Sequence, residues 1–328
     1  MSDDASAEEK RVARRQQIMG LGIGFATLAA ILLLVYATRH RPGMMSASML
    51  CSAPFVTGFL SVICGDPQQR HLARYQIRNA SIGISFLLLI GIFVFREGMI
   101  CIVMASPLVY LAGWLGGFFA GFCLGMSRRV QQRVGATVVL LPLLLAPVEG
   151  SLPPPTETGT VTRTIMVAAS PEAIWQQLNH VDNIRPDELG GSFDYFIGVP
   201  RPVSGIVNAA HTLRASVWEK QVHFDEHITD YQPGHYLRWT YDFKPGDIPG
   251  TALDEHVQIG GKYFTILDTA YTLVPQGQTG KTALTLQIRY RITSHINPYA
   301  GAWAGVVMND FERTILHMYQ QRAEGKAA

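Results

Sequence analysis

Residues 223–227 read His-Phe-Asp-Glu-His, a match to H-x-x-E-H, the inverted form of a zinc-peptidase motif. That chemistry needs a helix, on which two histidines share a metal-binding face and the glutamate sits beside them. The surrounding "VHFDEHITDY" alternates apolar and polar residues and so reads as a strand. On a strand His223 and His227 point one way, and Glu226 points the other way with Phe224 and Ile228. No metal site is expected there. Glu226 is expected to face an apolar interior, where desolvation raises a carboxyl pKa and suits it to act as acid, base or ligand anchor. Paired with an arginine or a hydroxyl, it would instead be structural.

A second constellation is "LDEHVQIGGKYF" at 253–264. Asp254 near His256 has the residue types to orient an imidazole for general-base work, although two residues apart they equally suit a polar loop. No serine or cysteine sits in a nucleophile elbow. Gly260-Gly261 reads as a bulge or turn rather than a phosphate cradle, and no cofactor is expected. The catalytic candidates are thus Glu226, Asp254 and His256.

The elements that must hold these groups lie in residues 160–328. "TVTRTIMVAA" is a β-branched strand, and "SPEAIWQQLNHV" a helix with Ser170 as N-cap and Pro171 at its first position. "DNIRPDELGG" is a short helix or turn closed by glycines. Strands follow over "HTLRASVWEKQVHFDEHITDY", "HYLRWTYDF", "KYFTILDTAYTLVP" and "TALTLQIRYRITS", the last two joined by the turn-forming "QGQTGK". "GVPRPVSG" at 198–205 reads as a loop placed to gate a cavity or as an ordinary connection. A helix from Pro298 to Ala323 carries Trp303, Val307, Phe311, Ile315 and Met318 at three- and four-residue spacing. This order makes an α+β domain with one long helix packed across a curved antiparallel sheet. Strand parity points Trp239, Tyr241, Leu286, Ile288 and Tyr290 inward and sets Tyr263 and Tyr271 on one face. With Trp303 and Val307 from the helix, these residues are expected to line the interior, as core or as ligand contacts.

Residues 1–150 differ in kind. Of the chain's 27 Lys/Arg and 25 Asp/Glu, this half holds 13 and 7, so it is basic and the second half acidic. An acidic soluble half argues against nucleic-acid binding. The apolar runs 18–37, 45–64, 80–95, 99–126 and 134–148 read as five membrane spans, judged against the roughly 20 residues a spanning helix needs. The last, with Pro142 and Pro147, is short, and the alternative is a stretch lying in or on the membrane. With the amino terminus inside, the inner segments hold ten Lys/Arg and the outer ones three, a positive-inside bias. That topology places the second half outside the cytoplasm, behind a stiff proline-rich tether at 151–159. Gly113, Gly117, Gly121 and Gly125 line one face of the fourth span, which suits packing against a sister span or a homodimer seam. No Asp, Glu, Lys or His falls within these spans, which argues for an anchor rather than a transporter. The four cysteines all lie in apolar runs without zinc-ligand spacing.

Four stretches, "VTRTIMVAASPEAIWQQLNHVDN", "FDEHITDYQPGHYLRWTYDF", "YTLVPQGQTGKTALTLQIRYRI" and "WAGVVMNDFERTILHMYQQRAE", together resemble the SRPBCC, or START-like helix-grip, superfamily. The flavour is that of its polyketide cyclase/dehydratase-like group, over about residues 160–326. The resemblance rests on element order and texture, not on a catalytic signature. It implies an apolar cavity between sheet and helix, used across the superfamily for lipids, sterols, polyketides and other hydrophobic ligands. The expectation is a membrane-anchored domain that binds or carries such a molecule. The alternatives are a cyclase-, dehydratase- or hydrolase-type enzyme acting on one, or a membrane-tethered interaction module.

Overall fold

The computed structural model describes residues 47–65, 73–93, 98–253, 257–277 and 280–325, with a few single residues before them. Most of the first expected span, and both Asp254 and His256, lie outside the described residues. The chain divides into two compact units, with the main break between Pro153 and Pro154.

The first unit is helical: α1 (Ala47–Ile63), α2 (Ala73–Phe93), α3 (Met99–Leu124) and α4 (Arg128–Ser151). Among the described residues three helices, α2, α3 and most of α4, are long and apolar enough to cross a membrane. α1 is shorter, at 17 residues, about 26 Å at the usual rise. The stretch expected at 134–148 extends at both ends into the 24-residue α4, whose length of about 36 Å removes the shortfall that made it doubtful. Pro142 and Pro147 lie inside it.

Extending α4 to Ser151 also brings Glu149 into a helix, a correction to the expectation that no span holds an Asp, Glu, Lys or His. Its carboxylate accepts hydrogen bonds from the Ala47 and Ser48 backbone amides, 2.7 Å each, and from the Ser48 hydroxyl. Glu149 therefore caps the start of α1, where helix amides lack intrahelical partners and the dipole favours an anion. The end of α4 thus lies beside the beginning of α1.

The small residues of α3 serve packing within the chain. A Cβ on Gly116 would lie 2.0 Å from the Phe55 carbonyl oxygen of α1, and one on Gly113 would press into Ile84 of α2. A Cβ on Gly121 would strike Gln76. The absent side chains let three helices close around Val56, Phe59, Val62, Ala120 and Cys123.

The second unit begins sooner than expected. β1 starts at Thr156 and pairs at once with Thr293, so the tether expected over 151–159 shrinks to residues 152–155. The elements that follow are α5 (Pro171–Asn179), β2 (His180–Val181), α6 (Pro186–Leu189), α7 (Phe193–Phe196), β3 (Pro202–Val207), β4 (Leu213–Trp218), β5 (His223–Gln232), β6 (Tyr236–Asp242), β7 (Phe264–Pro275), β8 (Thr282–Thr293) and α8 (Asn297–Ala323). The strands form one curled antiparallel sheet in the order β1-β8-β7-β6-β5-β4-β3-β2, closed over by α8 in a helix-grip fold. Ser170 caps α5 by accepting from the Ala173 amide, as its residue type favours.

Part of the loop expected at 198–205 is β3. Pro202 opens it, a position where a strand tolerates the missing amide. The β4–β5 turn places Lys220 and Gln221 at φ +57° and +63°, left-handed values that side chains adopt at a cost. Lys220 is held there by donating to the Gly198 and Ala252 carbonyls.

The core lies between sheet and α8 and includes Val167, Leu178, Leu237, Leu273, Leu284, Leu286, Ile315 and Leu316. α8 buries Ala304, Met308, Glu312, Ile315, Leu316, Met318 and Tyr319, so its buried stripe is centred about one residue later than the Trp303–Val307–Phe311 spacing implies.

Replacing Gly116 by leucine should force α1 and α3 apart at a contact with backbone, which no rotamer relieves. The overpacking penalty is typically about 1–3 kcal/mol. Thermal unfolding of the purified chain in detergent should show a clearly lowered midpoint, and an unchanged midpoint would contradict this packing.

Candidate functional site

β5 keeps the register that its alternation implies. His223 and His227 are exposed, whereas Glu226 is 3% exposed, on the opposite face. The motif is therefore split by the strand, and its histidines instead approach Asp247 and Asp242 at 4.0 and 3.9 Å. Among the described residues no group of three or more His, Cys, Asp or Glu is placed to hold a metal.

The partner of Glu226 comes from β4, where Arg214 stands directly opposite. Its Nη1 donates to Glu226 Oε2 at 2.5 Å and to Ser216 Oγ at 2.9 Å, and Ser216 Oγ donates to Glu226 Oε1 at 2.9 Å. The guanidinium also lies 4.9 Å from the Trp239 ring centre, and its Nη2 reaches the Tyr319 hydroxyl of α8 at 3.4 Å. A Cβ at Gly205 on β3 would lie 2.0 Å from Arg214 Nη2, so only glycine there leaves room for the guanidinium. Burial pushes the Glu226 carboxyl up, against the pull of Arg214 and Ser216. Burial likewise opposes the Arg214 charge, but Glu226 and Tyr319 hold its pKa above the ordinary arginine value. Arg214 Nε is buried without a partner.

Aromatic rings surround this pair. Trp239 packs on Tyr271 at 5.6 Å, and Tyr271 meets Tyr319 edge-on at 5.8 Å. Trp218 stacks on Phe311 of α8 at 5.6 Å, and the Tyr241 hydroxyl bonds to Thr269 Oγ1 at 2.7 Å. Of the residues expected inside, Trp239, Tyr271, Ile288 and Tyr290 are buried in this core, with Tyr241 and Val307 packed partly buried against it. Trp303 stacks on Phe193 of α7 at 6.2 Å, near one end of α8.

Tyr263 does not share a face with Tyr271. It precedes β7, with the Lys262 ammonium over its ring, while Phe264 packs on Tyr290. The parity is broken by a bulge between Ile266 and Asp268, which shifts every later side chain by one position. Asp268 is buried at this bulge and is held by Arg289 and Arg238.

Two acids absent from the candidates above are fully buried, Asp194 on α7 and Glu312 on α8, each 0% exposed, and neither carboxylate oxygen of Asp194 has a hydrogen-bond partner. Burial, with Asp310 nearby, pushes the Asp194 carboxyl up to about 8. Burial pushes Glu312 up to about 8 as well, against the pull of Arg163 on β1 and the Ile288 amide. Arg163 Nε is also buried without a partner. Glu312 was detectable: it is the charged residue within the apolar series Ala304, Met308, Ile315, Tyr319.

At the far end of α8, Arg322 binds both oxygens of Glu188 and the carbonyls of Asp182 and Asn183. Burial alone would raise Glu188, but Arg322 and Arg185 hold it below the usual carboxylate value. These residues line an open polar cleft of about 450 Å³. It is separate from the aromatic interior, and its charges are already spent on one another.

No family model matches the sequence, and no curated protein does. Among solved structures, the chain is similar to a START superfamily protein from Mycobacterium smegmatis, at 14% identity over 51% of this chain and 97% of that one, with a TM-score of 0.33. It is also similar to norcoclaurine synthase from Thalictrum flavum, solved with dopamine and hydroxybenzaldehyde, at 11% identity over 53% and 90%, TM-score 0.32. Likenesses this low carry no argument about chemistry, and the fold rests on the strand order and register above.

Two predictions follow from the buried charges. Glu226→Leu alone should leave a buried guanidinium unpaired, at about 3–5 kcal/mol. Arg214→Met with Glu226→Leu should cost well below the sum of the single changes. A double-mutant cycle by denaturant unfolding reads this directly, and additive costs would mean the two groups do not interact. Asp194 and Glu312 hold protons in the folded chain that the unfolded chain releases near their ordinary values of 3.8 and 4.5. Their contribution is thus favourable at low pH and lost as pH rises from about 4 toward 8. Asp194→Asn with Glu312→Gln should flatten the stability profile in that window and raise the unfolding temperature at pH 8; an unaltered profile would refute it.

Proposed function

We propose that this chain is a membrane-anchored binding protein whose helix-grip domain takes up a hydrophobic small molecule or lipid between the sheet and α8. The observation that carries this reading is a pair of buried guanidinium nitrogens without partners, Arg214 Nε and Arg163 Nε, on strands of the sheet that α8 covers. Native interiors satisfy nearly all such groups, and a ligand with an apolar body and a polar group would satisfy these among the rings of Trp239, Tyr271 and Tyr290. Glu226 has both oxygens engaged by Arg214 and Ser216, which favours binding over acid–base turnover. The ligand surface would be mainly apolar with few placed polar groups, as small-molecule sites usually are.

On this reading the helical unit is the anchor and the domain lies outside the cytoplasm. The Glu149 cap supports this, because it sets the end of α4 on the side where α1 begins. Arg74 and Arg78 near the start of α2, and Arg128, Arg129 and Arg133 at the start of α4, belong to the opposite, positively charged side.

Native mass spectrometry of the full chain, released from a bacterial membrane in mild detergent, tests the binding. A co-purifying apolar molecule is expected in the wild type. Val307→Trp, which fills the space from the helix side, should abolish it without unfolding the domain. A wild-type chain that carries nothing, even after incubation with total membrane lipid, would overturn the proposal. Topology is tested separately: Gln232→Cys in a cysteine-free chain should react with a membrane-impermeant maleimide in intact cells, and protection until lysis would place the domain inside.

A further inference from the structure

Three arginines of the second unit hold carboxylates side-on. Arg322 sets its Nε and Nη2 on the two oxygens of Glu188, at 2.5 and 3.0 Å. Arg289 turns the same edge to Asp268 at 2.6 and 2.5 Å, and Arg313 turns it to Asp310 at 3.2 and 2.7 Å. Nε and Nη2 make a rigid fork that matches a carboxylate, and such charged pairs are stronger than neutral hydrogen bonds. Arg163 of β1 presents the same edge without a carboxylate on it. Its Nε is buried with no partner, and its Nη2 reaches Asn309 Oδ1 of α8 at 3.5 Å, a distance at which little bonding remains.

The surroundings of Arg163 are apolar on one side and polar on the other. It shares the inner face of β1 with Val161 and Ile165 and stands opposite Leu286 of β8. Val161, Leu286, Ile288, Met308 and Ile315 belong to one core, and Met308 and Ile315 flank Glu312 on its face of α8. Arg163 pulls on the Glu312 carboxyl, but burial keeps that group protonated up to about 8. At neutral pH the guanidinium therefore gains no ionised partner from Glu312. An unpaired charge at the edge of a core is unfavourable.

We propose that the Nε–Nη2 edge of Arg163 binds the carboxylate of an amphiphilic ligand whose apolar chain lies between the sheet and α8. The inference rests on the binding function proposed above and names the headgroup that function leaves open. Two coplanar oxygens suit this fork as Glu188 suits Arg322. One negative charge balances one guanidinium. A phosphate monoester would bring roughly two, to a place whose other buried polar group, Glu312, is itself an acid. A methyl ester of the same chain keeps the apolar body and loses the charge, so Arg163 distinguishes acid from ester.

The full chain in mild detergent is incubated with equal amounts of dodecanoate and methyl dodecanoate, and native mass spectrometry reads the occupancy of each. The acid-to-ester ratio of the wild type should exceed that of Arg163→Met by about ten- to a hundredfold, the range a charge-assisted pair supplies. Ester occupancy should be equal in the two chains, which also shows that the variant is folded. Arg163→Gln, which keeps a polar side chain without the charge, should lose the preference in the same way. Equal ratios in the wild type and both variants would overturn the carboxylate site and leave the binding function standing. Loss of acid and ester together from both variants would also overturn the site, since Arg163 would then only support the fold. Dodecyl phosphate that displaces dodecanoate at equal concentration would reassign the edge to a phosphate headgroup. A wild type that binds membrane lipid but neither probe rules out the carboxylate site alone. One that takes up nothing, even from total membrane lipid, overturns the binding function itself.

Discussion

Arg214 is where the sheet and the helix it grips are joined by charge. A buried guanidinium is tolerable only if its neighbours answer it, and several elements are arranged to do so: Gly205 on β3 makes room, Glu226 on β5 supplies the opposite charge, Trp239 on β6 lies against the plane and Tyr319 on α8 meets the edge. A change in the register of β4 by one residue would turn Arg214 outward and leave Glu226 alone among aromatic rings. The interaction thus specifies strand register and helix seating together, beyond whatever net stability it contributes. Its cost is a domain whose centre is charged rather than oily.

The helical unit solves a related problem by opposite means. Its close contacts come from missing side chains, with Gly58, Gly113 and Gly116 bringing backbones together, and one of its polar contacts, Glu149 to the start of α1, satisfies amides that have no partner within the helix. In a membrane such end groups have few other partners. Packing by small residues brings the helices close, and capping by a distant carboxylate satisfies backbone amides at the start of α1.

What the sequence reveals follows from which patterns are local. The alternation around Glu226 survives because β5 is regular there, and the order of elements from Ser170 to Ala323 is legible from caps, turn residues and periodicity. Three features are not. The bulge beside Asp268 has no glycine to announce it and is held by arginines from neighbouring strands, so parity alone misplaces Tyr263. β3 is obscured by Pro200 and Pro202, which read as loop. The buried partners Arg214, Asp194 and Glu312 are polar residues whose burial is decided by tertiary contact. Only Glu312, within an apolar helical series, leaves a mark that periodicity can detect.

The short connection between α4 and β1 has a consequence in mass action. Two units joined by four residues encounter one another at an effective concentration on the order of millimolar, as short linkers generally provide. An interaction between units so joined is intramolecular and no longer bears the full loss of translational freedom. Interactions too weak to be seen with the free domain are then sufficient, and they can break as readily as they form. Such a connection favours repeated brief encounters over a single lasting one.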